Sequence, residues 1–465
     1  MQRRKFLKRT ALFSGLAAIN PIDLLAKDVD SFKLQGKQAK NIIFMISDGM
    51  STGTLAMADL YAKNTLGRTS HWMNLYQENK VSRALMDTAS ASSIVTDSAA
   101  ASSAFGGGVR VRNGVLNIGA NGEKYVPLWQ KFKQKGKKAG CVTTVTITHA
   151  TPAGFCINSD SRNAELEIAE MYAGLGFDVM MGGGDEFFNS KKRKDGKDLY
   201  QLYKQKGYQI IKDKDGLKKL NPEQKLLGVF CEGALPYAID QSNSKELGNT
   251  PTLAEMTSVA IEQMKDHKDG FVLQVEAGKV DWAAHANDIA GLIHDQLAFD
   301  DAIQKVMEFA EKDGQTLVVI TTDHGNANPG TIYGVDAGKK FDSISNYRYT
   351  NEHLLNSISP EFSFQKVKDL VNDFNKIVLT DIEAKKILEF YTGLEKEEGL
   401  YNYKKLPFKL YADMQQLRNN VGWISMDHSG DYVELAMYGP GSEMLKPFLK
   451  NTDLHQLVSK VGGLS

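Results

Sequence analysis

The chain has three cysteines in 465 residues, Cys141, Cys156 and Cys231, so at most one pair could bridge and no disulfide framework holds the fold. Their spacings match no zinc knuckle, and a bound metal would therefore need oxygen and nitrogen ligands. Bulk charge is missing as well, since Lys+Arg and Asp+Glu both number 56. Without a positive field there is no footprint for nucleic acid or acidic membranes, and nucleic-acid binding is not expected. No apolar run approaches the roughly 18 residues of a membrane helix, so no stable membrane span is expected. The glycine runs Gly106–Gly108 and Gly182–Gly184 lack the spacings of dinucleotide or P-loop cradles and read as turns or close packing.

The N-terminus departs from the overall balance. Residues 1–26 hold Arg3, Arg4, Lys5, Lys8 and Arg9 against the single acid Asp23, followed by the apolar run Ala11 to Ile19. A basic start before a short apolar stretch reads as an export signal rather than part of the fold, and the paired arginines resemble the twin-arginine class. Gln2 stands where that class usually has Ser or Thr, and Leu24 spoils a small-x-small cleavage site before Ala26. The expected destination is the periplasm or the outside of the cell. Removal of residues 1–26 would leave a formal net charge of −4.

Five short apolar runs read as buried strands: 41–46, 141–147, 271–275, 317–321 and 433–437. Between most of them lie helical patterns, the clearest from Gly291 to Lys312, where Leu292, Leu297, Phe299, Ile303, Val306 and Phe309 recur near 3.6 spacing. Alternation of this kind predicts an α/β fold with a large, mostly parallel central sheet and helices on both faces. Residues 27–465 are expected to form one domain. A change of texture at about 330–425, with a helical stretch from Ile382 to Leu394, reads as an inserted cap. Lys191–Asp198 reads as a solvated charged loop. Asp48, His149, Thr151, Glu276, Asp323 and His324 all follow or end these strands, and in open α/β sheets the reactive crevice lies beyond the strands' carboxyl ends.

Seven segments then occur in order: Ile46-Ser47-Asp48-Gly49-Met50, Thr96-Asp97-Ser98-Ala99-Ala100, His149-Ala150-Thr151-Pro152-Ala153, Val275-Glu276, Asp281-x-x-x-His285, Thr322-Asp323-His324-Gly325 and His428-Ser429-Gly430. Segment for segment they resemble the alkaline phosphatases. The resemblance implies a phosphate-monoester hydrolase with Ser98 as nucleophile and Arg162 gripping phosphate oxygens. It implies two zinc ions, one held by Asp281, His285 and His428, the other by Asp48, Asp323 and His324 with Ser98. It implies one magnesium ion held by Thr151 and Glu276 with Asp48 as a bridge, an all-oxygen set suited to a hard cation. For the last zinc ligand His353 competes with His428, but the strand expected at 433–437 favours His428. His149 and Trp282 stand near the site where the best-known bacterial form has Asp and Lys, as in certain marine and animal relatives.

Two other readings compete. Thr322-Asp323-His324-Gly325-Asn326 also resembles a segment of cofactor-independent phosphoglycerate mutases, which lack the context around Ser98. A non-catalytic exported metal- or phosphate-binding protein is the other. Sulfatases are excluded, because Ser98 is followed by Ala-Ala-Ala-Ser rather than x-Pro-x-Arg. The expected partners are small-molecule phosphate monoesters, with room for a homodimer.

Overall fold

The computed structural model describes residues 38–397 and 399–464, so the expected export signal lies outside the described residues. The central sheet has ten strands. They are β1 Asn41–Ser47, β2 Ser82–Asp87, β3 Lys138–Thr146, β4 Val179–Gly183, β5 Tyr208–Ile211, β6 Lys225–Val229, β7 Phe271–Ala277, β8 Thr316–Thr321, β9 Val433–Tyr438 and β10 Phe448–Lys450. Their spatial order is β10-β2-β9-β8-β1-β7-β3-β4-β6-β5. Only β9 runs against its neighbours; every other pairing is parallel. All five expected strands are present with ends shifted by one to three residues, β3 starting at Lys138 and ending at Thr146.

The core explains why these runs became strands. Along β1, Ile43 and Met45 join one apolar cluster while Ile42, Phe44 and Ile46 join another. Val318 and Ile320 on β8 divide from Leu317 and Val319 in the same way. A period of two with both halves buried is what a sheet covered on both faces requires. On the first face lies the long helix Ile289–Asp313, capped by Asp288 through the Ala290 and Gly291 N–H groups and ended by left-handed Gly314 (φ +65°). It is three residues longer than its periodicity predicts, because the cap lies outside the apolar stripe.

Residues between β8 and β9 leave and return through an antiparallel pairing of Gly330–Thr331 with Val421–Gly422. Within this stretch lie helices Ala337–Asp342, Asn351–Asn356, Phe364–Asn375, Asp381–Glu389 and Phe408–Asn419. Phe341, Leu354, Val371, Tyr391 and Tyr411 belong to the same cluster as Leu292 and Phe299, so this region shares the core rather than building its own. The helix expected over 382–394 stops at Glu389, and the chain turns through Gly393 at φ +74°.

One expectation fails. The charged loop 191–198 is not wholly solvated, because the Arg193 side chain is fully buried. It donates to the Phe187 and Leu166 carbonyls at 2.6 and 3.2 Å and pairs with Glu170 and Asp195. Its fork has enough donors to satisfy four acceptors at once, which offsets the cost of burial. Arg193→Met should lower stability by about 2–4 kcal/mol through orphaned acceptors. Urea unfolding checks this, and a change under about 0.5 kcal/mol would show the loop to be solvated after all.

Candidate active site

The carboxyl ends of the central strands deliver the polar residues to one edge. β1 runs into Asp48 and then Gly49 at φ +68°, where a side chain would meet Asp281 Oδ1 at 2.4 Å. Only glycine fits so close an approach. Asp323, just past β8, accepts the Gly49 N–H at 3.2 Å and the His324 N–H at 3.0 Å through Oδ1. Thr322 accepts the Met50 N–H, so the two strand ends are cross-linked. Glu276 on β7 takes the hydroxyl of its register partner Thr143 at 2.5 Å.

Ser98 is the first residue of helix Ser98–Gly106, capped by Asp97, which accepts the Ala100 N–H at 3.0 Å. The small residues of that helix have a packing reason. A Cβ on Gly106 would sit 2.0 Å from the Gly154 carbonyl, and Ser102 donates to the Ala150 carbonyl. The Ser98 helix therefore lies directly on the short helix Ala150–Gly154, which carries Thr151. The other Asp97 oxygen takes the Gly114 N–H and the Arg162 guanidinium at 2.9 and 3.1 Å. The second Arg162 terminal nitrogen lies 3.1 Å from His149 Nε2.

Of the four metal-ligand-type groups among the described residues, three lie at this edge, each with its ligand atoms within 4.8 Å of one another: Asp281, His285 and His428; Asp48, Asp323 and His324; Asp48, His149 and Glu276. The fourth, His71, Asp300 and Asp301, involves none of the expected ligands. His428 arrives because His428–Ser429 pairs antiparallel with Gly325–Asn326, stacking its ring on His324 at 3.8 Å. His353 instead stacks on Tyr349 at 4.4 Å and joins none of these groups. Ser98 Oγ lies 3.2 Å from His324 Nε2, and Thr151 Oγ1 lies 3.1 Å from Asp48 Oδ2. The third group is not all oxygen, since His149 Nδ1 lies 3.6 Å from Glu276 Oε1. Trp282 shares the helix Lys279–His285 with Asp281 and His285, but its ring covers the Lys279 ammonium at 4.7 Å and packs on the core.

These groups fit divalent cations. His285 Nδ1 faces the Met426 carbonyl at 2.6 Å and His428 Nδ1 faces the Thr96 carbonyl at 2.9 Å. A carbonyl only accepts, so in the neutral rings both Nδ1 atoms carry hydrogen and both Nε2 atoms present lone pairs. Those two Nε2 atoms are 3.1 Å apart beside the Asp281 carboxylate. Asp48 Oδ1, Asp323 Oδ2, Glu276 Oε1 and His149 Nδ1 are buried with no hydrogen-bond partner. Lone pairs converge, and a cation is what satisfies them.

The titration behaviour expresses the same strain. Burial, then the charges of Asp323, Asp281 and Glu276, push Asp48 well above the usual carboxylate range. Burial and the Asp281 charge lift Asp323 to about 7. Burial and the neighbouring His428 push His324 well below its ordinary value. At His285 burial works downward, but the hydrogen bond to Asp281 and its charge win and raise the ring to about 9.

Residues outside the expected set also hold the site. Asn326 donates to Asp281 Oδ1 at 2.7 Å, Thr143 fixes Glu276, and Asp97 fixes Arg162. Asp97 lies inside a motif segment and Asn326 directly follows one, whereas Thr143 reaches its partner only through strand register.

Comparison with known proteins agrees with this geometry. The alkaline phosphatase family model matches residues 39–464. The chain belongs to the alkaline phosphatase family. Alkaline phosphatase 4 of Bacillus subtilis is 32% identical over 93% of this chain and 90% of its own length. The repressible alkaline phosphatase of Saccharomyces cerevisiae is 30% identical over 94% of this chain and 82% of its own. The crystal structure of Thermus thermophilus alkaline phosphatase superposes with a TM-score of 0.85 at 34% identity, covering 92% of each chain. The chain is thus a phosphoric monoester hydrolase of the alkaline phosphatase type, on the α/β fold that its sequence predicts.

Because Asp323, lifted to about 7, must lose its proton to bind a cation, as must the raised Asp48, affinity should fall as pH drops below about 7. Zn²⁺ titration of chelator-stripped alkaline phosphatase at pH 6 and pH 8 should give weaker binding and more protons released at pH 6. Stripping should also lower the melting temperature by several degrees, restored by Zn²⁺ with Mg²⁺. Equal affinity and proton release at both pH values would contradict the reading of these groups as cation ligands.

Proposed function

We propose that the chain is an exported phosphomonoesterase that works through a phosphoserine on Ser98 with two zinc ions and one magnesium ion, on small-molecule esters of varied alcohols. The observation that carries this reading is the convergence of Ser98 with three ligand groups, its Oγ lying 3.2 Å from His324 Nε2. Bound by Asp281, His285 and His428, by Asp48, Asp323 and His324, and by Asp48, Thr151, Glu276 and His149, divalent cations would supply the positive charge that favours a serine alkoxide and a departing ester oxygen. A purely metal- or phosphate-binding protein would have no use for a hydroxyl at that point.

Arg162 grips the substrate. A guanidinium has five N–H groups, so the contacts with Asp97 and His149 leave donors for two phosphate oxygens while holding the plane in place. The start of the Ser98 helix adds backbone N–H groups that favour the incoming anion. Ser98 Oγ gives up its proton and bonds to phosphorus as the ester oxygen leaves and is protonated to the alcohol. Water then attacks the phosphoserine, returning the Ser98 hydroxyl and releasing inorganic phosphate. Residues 330–425 fit an inserted cap on one face of the sheet. Residues 1–26 fit a twin-arginine export signal delivering the enzyme to the periplasm or beyond. No helix among the described residues is long and apolar enough to cross a membrane.

Ser98→Ala should lower kcat on phenyl phosphate by about 10³-fold or more and abolish phosphoprotein trapped by acid quench, with zinc content near that of wild type. Retained phosphoprotein, or activity kept while zinc is lost, would point to another nucleophile.

A further inference from the structure

Glu165 opens the helix Glu165–Leu175, three residues after Arg162. A first-turn acid ordinarily serves its own helix, but here the flanking residue Ala164 makes no side-chain cap and the Glu165 carboxylate reaches elsewhere. Its Oε2 accepts the Thr146 hydroxyl at 2.6 Å and the Thr148 hydroxyl at 2.6 Å. Both are lengths of charge-assisted bonds. Thr146 is the last residue of β3, and Thr148 immediately precedes His149. One carboxylate oxygen therefore joins the loop carrying His149 to the turn carrying Arg162.

The join supplies a direct side-chain link between these two segments. Asp97 ties the Arg162 guanidinium to the Ser98 helix, and the Gly114 carbonyl takes the Arg162 N–H at 2.9 Å. The His149 loop is supported separately, by the His149 N–H to the Thr146 carbonyl at 3.0 Å, the Ile147 N–H to the Gly183 carbonyl at 3.2 Å and the Ser102 hydroxyl to the Ala150 carbonyl at 3.0 Å, and none of these bonds reaches the Arg162 turn. Behind Glu165 the base is rigid, because buried Arg193 grips the Leu166 carbonyl and Glu170 of the same helix. Glu165 therefore stands behind the 3.1 Å contact between Arg162 and His149, bonded to the loop on one side and continuous with the Arg162 turn on the other.

We propose that Glu165 is a positioning residue for phosphate recognition, acting through Thr146 and Thr148 to hold His149 and Arg162 at working distance. The proposal rests on the hydrolase reading above. A displacement of about 1 Å at such a group costs up to about 10²-fold in rate. Glutamine keeps an acceptor oxygen for the two hydroxyls, and alanine keeps none.

The test uses the full chain loaded with Zn²⁺ and Mg²⁺, with inorganic phosphate as probe by calorimetry and phenyl phosphate for turnover. Glu165→Ala should weaken phosphate binding about tenfold and lower kcat/KM in parallel, while Glu165→Gln recovers most of both. In an Arg162→Ala background, Glu165→Ala should cost less than twofold more. Wild-type phosphate affinity in folded Glu165→Ala, or an undiminished tenfold loss without Arg162, overturns the proposal. Should Glu165→Ala not fold, Thr146→Val and Thr148→Val each remove one hydroxyl and should each give part of the loss; two inert variants overturn it equally. A wild-type chain that binds phosphate but turns over no phenyl phosphate defeats the hydrolase reading and leaves the binding arm to judge Glu165.

Discussion

Everything at the carboxyl edge of the sheet depends on one electrostatic problem, the burial of Asp48, Glu276, Asp281 and Asp323 within one small region. Two like charges about 4 Å apart repel by about 4 kcal/mol at an effective dielectric of about 20. Several such pairs rival the roughly 5–15 kcal/mol that holds a whole domain folded. The chain tolerates the arrangement through fixed hydrogen bonds to single oxygens, as from Gly49 to Asp323, Thr143 to Glu276 and Asn326 to Asp281. The remaining oxygens are left bare for positive charge. A fold built for stability alone would not concentrate acids in this way, and the concentration is therefore the functional signature.

The sheet makes this possible by bringing distant segments to one line. β1, β7, β8 and β3 are consecutive or adjacent in the order, so Asp48, Glu276, Asp323 and the His149 loop emerge side by side. Ser98 comes from outside that line. Its approach depends on small residues, because the Ser98 helix lies against Gly154 with no space for a side chain at Gly106. Backbone contact at Gly106 sets how deep the Ser98 hydroxyl lies.

Most of this edge was legible in the sequence. Runs such as Asn41–Ser47 and Phe271–Ala277 are buried on both faces, and such strands announce themselves as continuous apolar stretches. Strands β2 and β5 do not, since Ser82–Asp87 alternates buried with exposed positions and Tyr208–Ile211 is short and half-buried. Arg193 shows why charge is a weak guide to exposure: its four acceptors are carbonyls and acids that only the fold assembles. Thr143 and Glu165 carry no sequence signal for the same reason, one meeting its partner through register and the other through two hydroxyls on a neighbouring loop. The resemblance implies an all-oxygen third group, and the nearness of His149 to Glu276 adds an imidazole beside it.

The two-residue ladder that seats His428 beside Asn326 also sets a timetable. Synthesis runs from the N-terminus, so Asp281 and His285 are made long before the imidazole that completes their set. Until the segment around His428 has emerged and docked, that cage lacks a wall, and an ion caught early would be held by too few ligands to stay. This one ligand group is thereby complete only when the last stretch of the sheet has been made.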